Sequence, residues 1–390
     1  MTVNVSMQDL LQPIALTKVI SQMAAVNPSL LHLFGMQPGG KAEADMGLGR
    51  QGYYHVYNNV RKVAMGRAPG TAHARSAANP LGKVPFVFPR MADSLVLPME
   101  ELNNIAKIGD PALRDKAGID YVSRQSKTLA QKANNWRLAM LVGMLRDSLY
   151  LAFDGESTYI NYAGTGMQLS FGRPAGNTGQ LDMLGTGDII DISWDTTPSV
   201  LETCANIPLQ LGKINAAFQA LNGGMLTDVI LSMDTWVKVI ENAWVAKVHG
   251  TATAPFRRFE RKIGEGPDGR PLNEHVGELS VMPGVIWHIT DAGLDLGAPG
   301  SETFQKHVPD GSAMFLCGPE QFDDLYTLHI GGEPVAERDG APITEKRGFA
   351  AWSNQTSNPT ATNLFVLDNC LPTCHVPSAI AYGEVVFSAL

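Results

Sequence analysis

Charge is scarce in this chain. Lys, Arg, Asp and Glu together make up 17 % of its 390 residues, against about 25 % in an ordinary soluble domain. Wet surface normally carries more charge, so the shortfall points to surface covered by copies of the chain or by other partners. No stretch approaches 18 consecutive apolar residues, which excludes a membrane-spanning helix. Four cysteines, Cys204, Cys317, Cys370 and Cys374, are too few for a disulfide scaffold at this length. Met1 to Ser29 lacks the basic start, apolar core and cleavage site of a signal peptide, so synthesis in a reducing cytoplasm is expected. What is plentiful is core: 44 % hydrophobic residues exclude general disorder and suit two or three domains or one large elaborated one.

Recognisable chemistry is also lacking. No phosphate loop of the G-x-x-x-x-G-K-[ST] kind, no H-E-x-x-H and no G-x-S-x-G occurs. Two segments, Gly47 to Gly52 and Gly264 to Gly269, fit G-x-G-x-x-G, but neither follows an apolar strand or opens a helix, so both read as turns. Asp188, Asp191 and Asp195 lack the glycine turn of a calcium loop and read as solvated carboxylates. Cys370, Cys374 and His375 are the one cluster of metal-ligand types, and no second pair sits at matching spacing to close a zinc site. No local triad assembles. The chain is expected not to be an enzyme and to need no cofactor.

Charge of one sign is missing from one segment. Gln51 to Arg90 carries Arg61, Lys62, Arg67, Arg75, Lys83 and Arg90 and no Asp or Glu. Taking this +6 from the net charge of −8 leaves −14 on the other 350 residues. A basic segment on an acidic body binds nucleic acid or the acidic body of a neighbouring copy.

The apolar pattern orders the chain. Residues 1 to 34 read as an amphipathic arm broken at Pro13 and Pro28 and ending in Leu30, Leu31, Leu33 and Phe34; it packs into the core or docks elsewhere. Strand-like runs Tyr53–Tyr57 and Val84–Phe88 flank a small-residue stretch and predict a long two-stranded excursion. A lone hairpin is marginal in water, so this one is expected to need a partner surface. Asp110 and Pro111 form a helix start. Val122, Leu129, Ala133, Trp136, Met140 and Met144 then recur at helical spacing up to Asp154-Gly155. This predicts a helix over Asp120–Phe153, about 50 Å long, with Gly118 separating a shorter helix before it. Further on, the pattern predicts strands around Ile189–Ile192, Asp228–Leu231 and Val285–Ile289. Helices are expected from Asn206 to Leu221 and from Asp234 to Val248, a loop over Gly264–Pro271, and strands and turns in the last 45 residues, closing at Val385–Phe387. No internal repeat is present.

The order of these parts resembles the major capsid protein of tailed phages, with the Hong Kong 97 fold, and within it the phage lambda major capsid protein E family. The resemblance covers most of the chain. It rests on the apolar arm ending at Phe34, on Val60 to Pro69 followed by Pro85 to Met91, and on the long helix of Asp110 to Asp154. Further landmarks are Val308 to Gly311, Cys317 to Pro319 and Asn358-Pro359. It implies an α+β capsid fold: an N-terminal arm (1–50), an extended loop (51–95), a peripheral domain with a spine helix (96–185), an axial domain (186–345) and returning C-terminal strands (346–390). It also implies a shell subunit that assembles into pentamers and hexamers around double-stranded phage DNA, in the virion, after assembly in the host cytoplasm. Implied partners are further copies of itself, a scaffolding protein, a portal and a decoration protein; no membrane and no sequence-specific DNA contact are implied. Arg61, Lys62, Arg67, Arg75, Lys83 and Arg90 would then lie in the loop that crosses a neighbouring subunit. Some relatives cross-link a loop lysine to asparagine; Lys62 and Lys83 face Asn354, Asn358 and Asn363 as candidates, with nothing local to mark a pair.

Three other readings compete. One is an encapsulin-like nanocompartment shell of the same fold. A second is a soluble metal-dependent α/β enzyme using Cys370, Cys374 and His375. The third is a nucleic-acid binder using residues 51 to 90.

Overall fold

The computed structural model describes residues 30–45, 51–56, 82–98, 100–101, 104, 111–154, 157–162, 164, 166–197, 199–251, 275–278, 284–322, 324–336, 343–357 and 360–387. Residues 1–29 of the arm, Asp110 and the Gly264–Pro271 loop lie outside them. Among the described residues no helix is long and apolar enough to cross a membrane.

A single helix dominates. After the short α1 (Leu30–Leu33), α2 runs from Pro111 to Arg146 without a break, 36 residues, or roughly 54 Å at 1.5 Å per residue. Two expectations are corrected here. Gly118 does not interrupt the helix; it is buried within it, and packing outweighs the roughly 1 kcal/mol helix penalty of a glycine. Nor does the helix reach Phe153. It stops at Asp147, whose φ of 52° is left-handed, and Ser148 N donates back to Gly143 O at 3.0 Å. Arg173 then supplies Nη2 to the Met144 and Leu145 carbonyls at 2.8 and 2.6 Å, satisfying acceptors the helix leaves open. The chain reverses into β5 (Leu149–Asp154), which pairs with β6 (Ser157–Asn161) and β7 (Met167–Leu169). Gly143 permits the reversal, because a Cβ there would sit 2.6 Å from Leu149 Cδ1.

The N-terminal half of α2 lies across a five-stranded sheet. Its long strand β19 (Thr360–Cys374) pairs antiparallel with β18 (Phe349–Ser357), β4 (Arg90–Pro98) and β15 (Tyr326–Ile330); β1 (Glu43–Asp45) adds parallel to β15. Val122, Leu129 and Ala133 of the helix meet Met91, Leu97, Leu364 and Val366 of this sheet in a small core. The other half of α2, Leu138 to Leu145, enters a second, larger core. Leu30, Leu31, Phe34 and Met36 are buried in that larger core too, so the end of the arm takes the core-packed alternative.

The second sheet has six strands in the order β10 (His275–Glu278), β11 (Ile286–Ile289), β9 (Leu226–Leu231), β14 (Ser312–Cys317), β20 (Ile380–Glu384), β8 (Thr178–Gly179). Every residue of β14 is buried, as expected of a central strand covered on both faces. The helices beside this sheet are α3 (Ile207–Leu221), α4 (Met233–Glu241) and α5 (Ala243–Thr251). Asn206 caps α3, accepting from Leu209 N at 3.1 Å. Asn206→Ala is expected to lower stability by about 1 kcal/mol, read as a shift in the urea midpoint with unchanged slope; an unchanged midpoint would refute the cap's role.

Two more expectations are corrected. The helix predicted over Asp234–Val248 is two helices, because Asn242 leaves helical geometry and accepts from Trp244 N and Val245 N at 3.1 and 3.3 Å. That is the chemistry of a helix start, so α5 begins anew there. Ile189 to Ile192 is not a strand; Ile190 is buried and bonded through its backbone to Gln180, while Ile192 is exposed. Val385 to Phe387 likewise lies beyond the last strand, β20, with Val385 buried against Gly311 and Trp194 through its backbone.

Three hairpins complete the fold: β12 (Gly293–Leu296) with β13 (Thr303–Lys306), β16 (Gly332–Ala336) with β17 (Ile343–Arg347), and β2 (Gln51–Val56) with β3 (Gly82–Val87). The result is α+β. In chain order it runs through the arm end, the paired excursion, the long helix on one sheet, a second sheet with helices, and C-terminal strands that return to both sheets.

Candidate interaction surface

The hairpin β2–β3 pairs with no other strand among the described residues. Its register, Gln51 opposite Val87 to Val56 opposite Gly82, confirms the expected two-stranded form. Tyr53 and Val87 are exposed, and Lys83 Nζ sits 4.8 Å from the centre of the Tyr53 ring. Gly52 lies under the Phe86 ring, which a Cβ would approach to 2.9 Å.

What holds the hairpin is its root. Tyr54 turns inward and is only 3 % exposed. Around it stand Phe86 (ring centres 6.0 Å apart), His329 (6.2 Å) and His375 (6.1 Å). Phe86 stacks on His329 at 5.7 Å and meets Phe88 edge-on at 4.8 Å. His375 Nδ1 donates to the His55 carbonyl at 2.5 Å, and its Nε2 lies 3.1 Å from Thr327 Oγ1. Burial lowers the His329 pKa to about 4, with His375 acting in the same direction. Burial also raises the Tyr54 pKa to about 12. The root is therefore a buried aromatic and imidazole cluster in which burial favours the neutral forms of His329 and Tyr54.

Of the six basic residues singled out in the sequence, Arg61, Lys62, Arg67 and Arg75 lie outside the described residues. Lys83 stands on the hairpin. Arg90 opens β4 in the five-stranded sheet, and its Nε is 3.0 Å from Glu333 Oε1 of the same chain. Lys83 and Arg90 thus have different settings.

Beside the root runs an open groove of about 780 Å³ between the β3–β4 junction, α2 and the β5–β6 and β12–β13 hairpins. Val87, Trp136, Met167 and Leu296 give it apolar walls, and Arg90 and Lys132 line it as well. Lys132 is bonded to Asp93 at 2.6 Å.

The cysteine cluster is placed differently from a metal centre. Cys370 and Cys374 are buried free thiols in β19. Four residues of strand separate their backbones by about 13 Å, too far for two Zn–S bonds of about 2.3 Å to a shared ion. Burial pushes the Cys374 thiol up to about 12, and its Sγ donates to Val376 O at 3.2 Å. No group of three or more metal-ligand side chains converges among the described residues. Asp191 accepts from Gln210 Nε2 at 3.0 Å and Asp195 from Ser193 Oγ at 2.5 Å, each serving its own loop.

His329 was not singled out by pattern, and His375 was marked only as a metal-ligand type beside Cys370 and Cys374. The strand runs marked Tyr54 and Phe86, but nothing in the sequence joins them to two histidines almost 300 residues later.

No family model matches this sequence, and no curated protein matches it. Solved structures align with it over much of their length. A phage-related protein from Bordetella bronchiseptica RB50 aligns over 95 % of this chain and 98 % of its own, at TM-score 0.48 and 11 % identity. The putative capsid protein of a prophage from E. coli CFT073 aligns over 78 % and 80 %, at TM-score 0.44 and 10 % identity. A virus-like particle from Pyrococcus furiosus aligns over 95 % and 99 %, at TM-score 0.41 and 10 % identity.

Proposed function

We propose that this chain is a shell-forming capsid subunit, and specifically the major capsid protein of a tailed phage. The observation that carries the reading is the hairpin β2–β3: a basic excursion on an acidic chain, fixed at its root, joined to no larger sheet among the described residues, and flanked by an open groove. A two-stranded ribbon is marginal alone in water, and the body of a second copy offers both the missing contacts and the opposite charge. Obligate interfaces bury about 2,000–5,000 Å² or more, which accounts for a charged fraction of only 17 %. In this reading Arg61, Lys62, Arg67, Arg75 and Lys83 face the neighbouring subunit, and Arg90 contributes from the groove wall. Residues 186–345 form the axial domain at the five- and six-fold axes. Scaffolding, portal and decoration proteins, and assembly in the host cytoplasm, belong to the same proposal. The acidic balance limits adhesion of packaged DNA to the wall.

The test is negative-stain electron microscopy after size-exclusion chromatography, at moderate and low salt. Closed shells, sheets or rings of five or six subunits are expected. The variant Arg61→Glu/Arg67→Glu/Lys83→Glu is expected to stay in small species while keeping the far-ultraviolet dichroism of the parent. Unchanged assembly would refute the hairpin's role. Salt-dependent DNA affinity lost in Arg61→Ala/Arg67→Ala, with assembly intact, would move the basic segment to nucleic acid. A monomer under all conditions with stoichiometric zinc would favour the enzyme.

A further inference from the structure

We propose that the root of the β2–β3 hairpin is a pH-operated latch, in which the His329 ring stacked on Phe86 holds the hairpin against the five-stranded sheet and protonation of that ring releases it. The geometry carries this. His329 is 5 % exposed and stacked on Phe86 of the hairpin, and neither of its ring nitrogens has a hydrogen-bond partner among the described residues. A proton added there is a buried charge with nothing to receive its N–H groups. The second imidazole, His375, faces it edge-on at 5.8 Å and holds the hairpin through the His55 carbonyl.

The surrounding groups do not cancel the effect. From the hairpin come the Tyr54 hydroxyl, buried without a partner, and His55, whose Nδ1 is also buried and unpartnered. Lys83, beside Phe86, turns to the Tyr53 ring. From β15 come Thr327, bonded to His375, and Tyr326, whose phenol burial keeps neutral. From β19 comes Cys374, a neutral thiol. From β1, Glu43 is engaged by Arg137. Asp147 at the end of α2 acts on Tyr54 but is itself raised by burial. Burial is the larger cause of the lowered His329 pKa, and His375 acts in the same direction.

The sign follows from linkage. The docked state lowers the His329 pKa from 6.5 to about 4. Docking is therefore fully favoured above pH 6.5 and weakens as pH falls from 6.5 toward 4. At pH 5 this one histidine shifts the balance toward release by about thirtyfold. Lifting the hairpin uncovers Tyr54 and Phe86.

This inference deepens the shell reading by giving the hairpin a condition for release, and it is tested on the unassembled full chain, where failure to form shells has no bearing. Hydrogen exchange by mass spectrometry, corrected for intrinsic rates, is followed at residues 51–56 and 82–87 from pH 7 to pH 4.5, with residues 349–368 as the internal control. Hairpin protection is expected to fall at least tenfold by pH 5 while the control holds. His329→Phe, which keeps the stacking and removes the proton site, is expected to preserve protection at pH 5. Flat hairpin protection, an equal fall in His329→Phe, or a fall in step with residues 349–368 would each overturn the latch. Should the variant not fold, the wild-type His329 ring is titrated by NMR: a midpoint near 6.5 with the hairpin still protected also overturns it.

Discussion

Replacing Arg137 with methionine is expected to lower stability by about 3–5 kcal/mol, because it leaves a buried carboxylate without its cation. Arg137 and Asp368 are both fully buried side chains, joined by Nε to Oδ2 at 2.5 Å and Nη2 to Oδ1 at 3.0 Å. Nη1 reaches Glu43 Oε1 at 2.5 Å and the Met36 carbonyl at 3.3 Å. One guanidinium therefore fastens three separate pieces of chain: spine helix, long return strand and the end of the arm. Burial works against its charge, and the Asp368 carboxylate more than offsets that, so Arg137 holds its proton more firmly than an ordinary arginine. Lysine is no substitute, having one point charge where a planar fork is used. The double variant Arg137→Met/Asp368→Leu removes both charges and is expected to recover most of the loss. Urea unfolding of the three proteins decides the matter; a single variant within 1 kcal/mol of the parent, or no recovery in the double, contradicts the account.

Trp194→Ala is expected to cost a similar amount, about 3–5 kcal/mol, by a different route. Trp194 is fully buried in the larger core. Its Nε1 donates to Gln210 Oε1 at 2.7 Å, and its backbone N donates to Val385 O at 2.8 Å. Gln210 Nε2 in turn holds Asp191 and Ile192, at 3.0 and 3.2 Å. Alanine leaves a cavity and an orphaned acceptor together. Trp194→Phe keeps most of the volume and is expected to lose about 1–3 kcal/mol for the acceptor alone. Equal losses in the two variants would show that the hydrogen bond, and not the volume, carries the effect.

These two residues mark where the sequence stops being readable. Trp136, Met140 and Met144 revealed a long helix through their spacing, and Pro111 its start, since both signals are local. The helix end was misplaced because Leu149 and Leu151 are as apolar as the positions before them. The reversal depends on Asp147 adopting a left-handed turn, on Arg173 capping carbonyls 28 and 29 residues earlier, and on strands β6 and β7 being present to pair. Ile189 to Ile192 looked like a strand by composition. In place its polar neighbours bond to Gln210, and the segment wraps the core as a loop.

The same limit applied to the candidate surface. The basic run and its lack of acids are properties of consecutive residues, visible without a structure. The hairpin's anchorage is not: Tyr54, His329 and His375 come together because β15 and β19 pair and β2 lays Tyr54 against them.

By itself the sequence determined the local and summed properties of this protein. These are its mixture of helices and strands, its long helix, its hairpin and the charge contrast between that hairpin and the remainder. They depend on periodicity, turn chemistry and net charge, which are functions of neighbouring residues. Only the tertiary structure decided where the spine ends, that Arg137 rather than any cysteine is the buried polar centre, and that His329 and His375 sit beneath the hairpin. Those outcomes depend on desolvation, and a side chain's loss of water is set by residues hundreds of positions away.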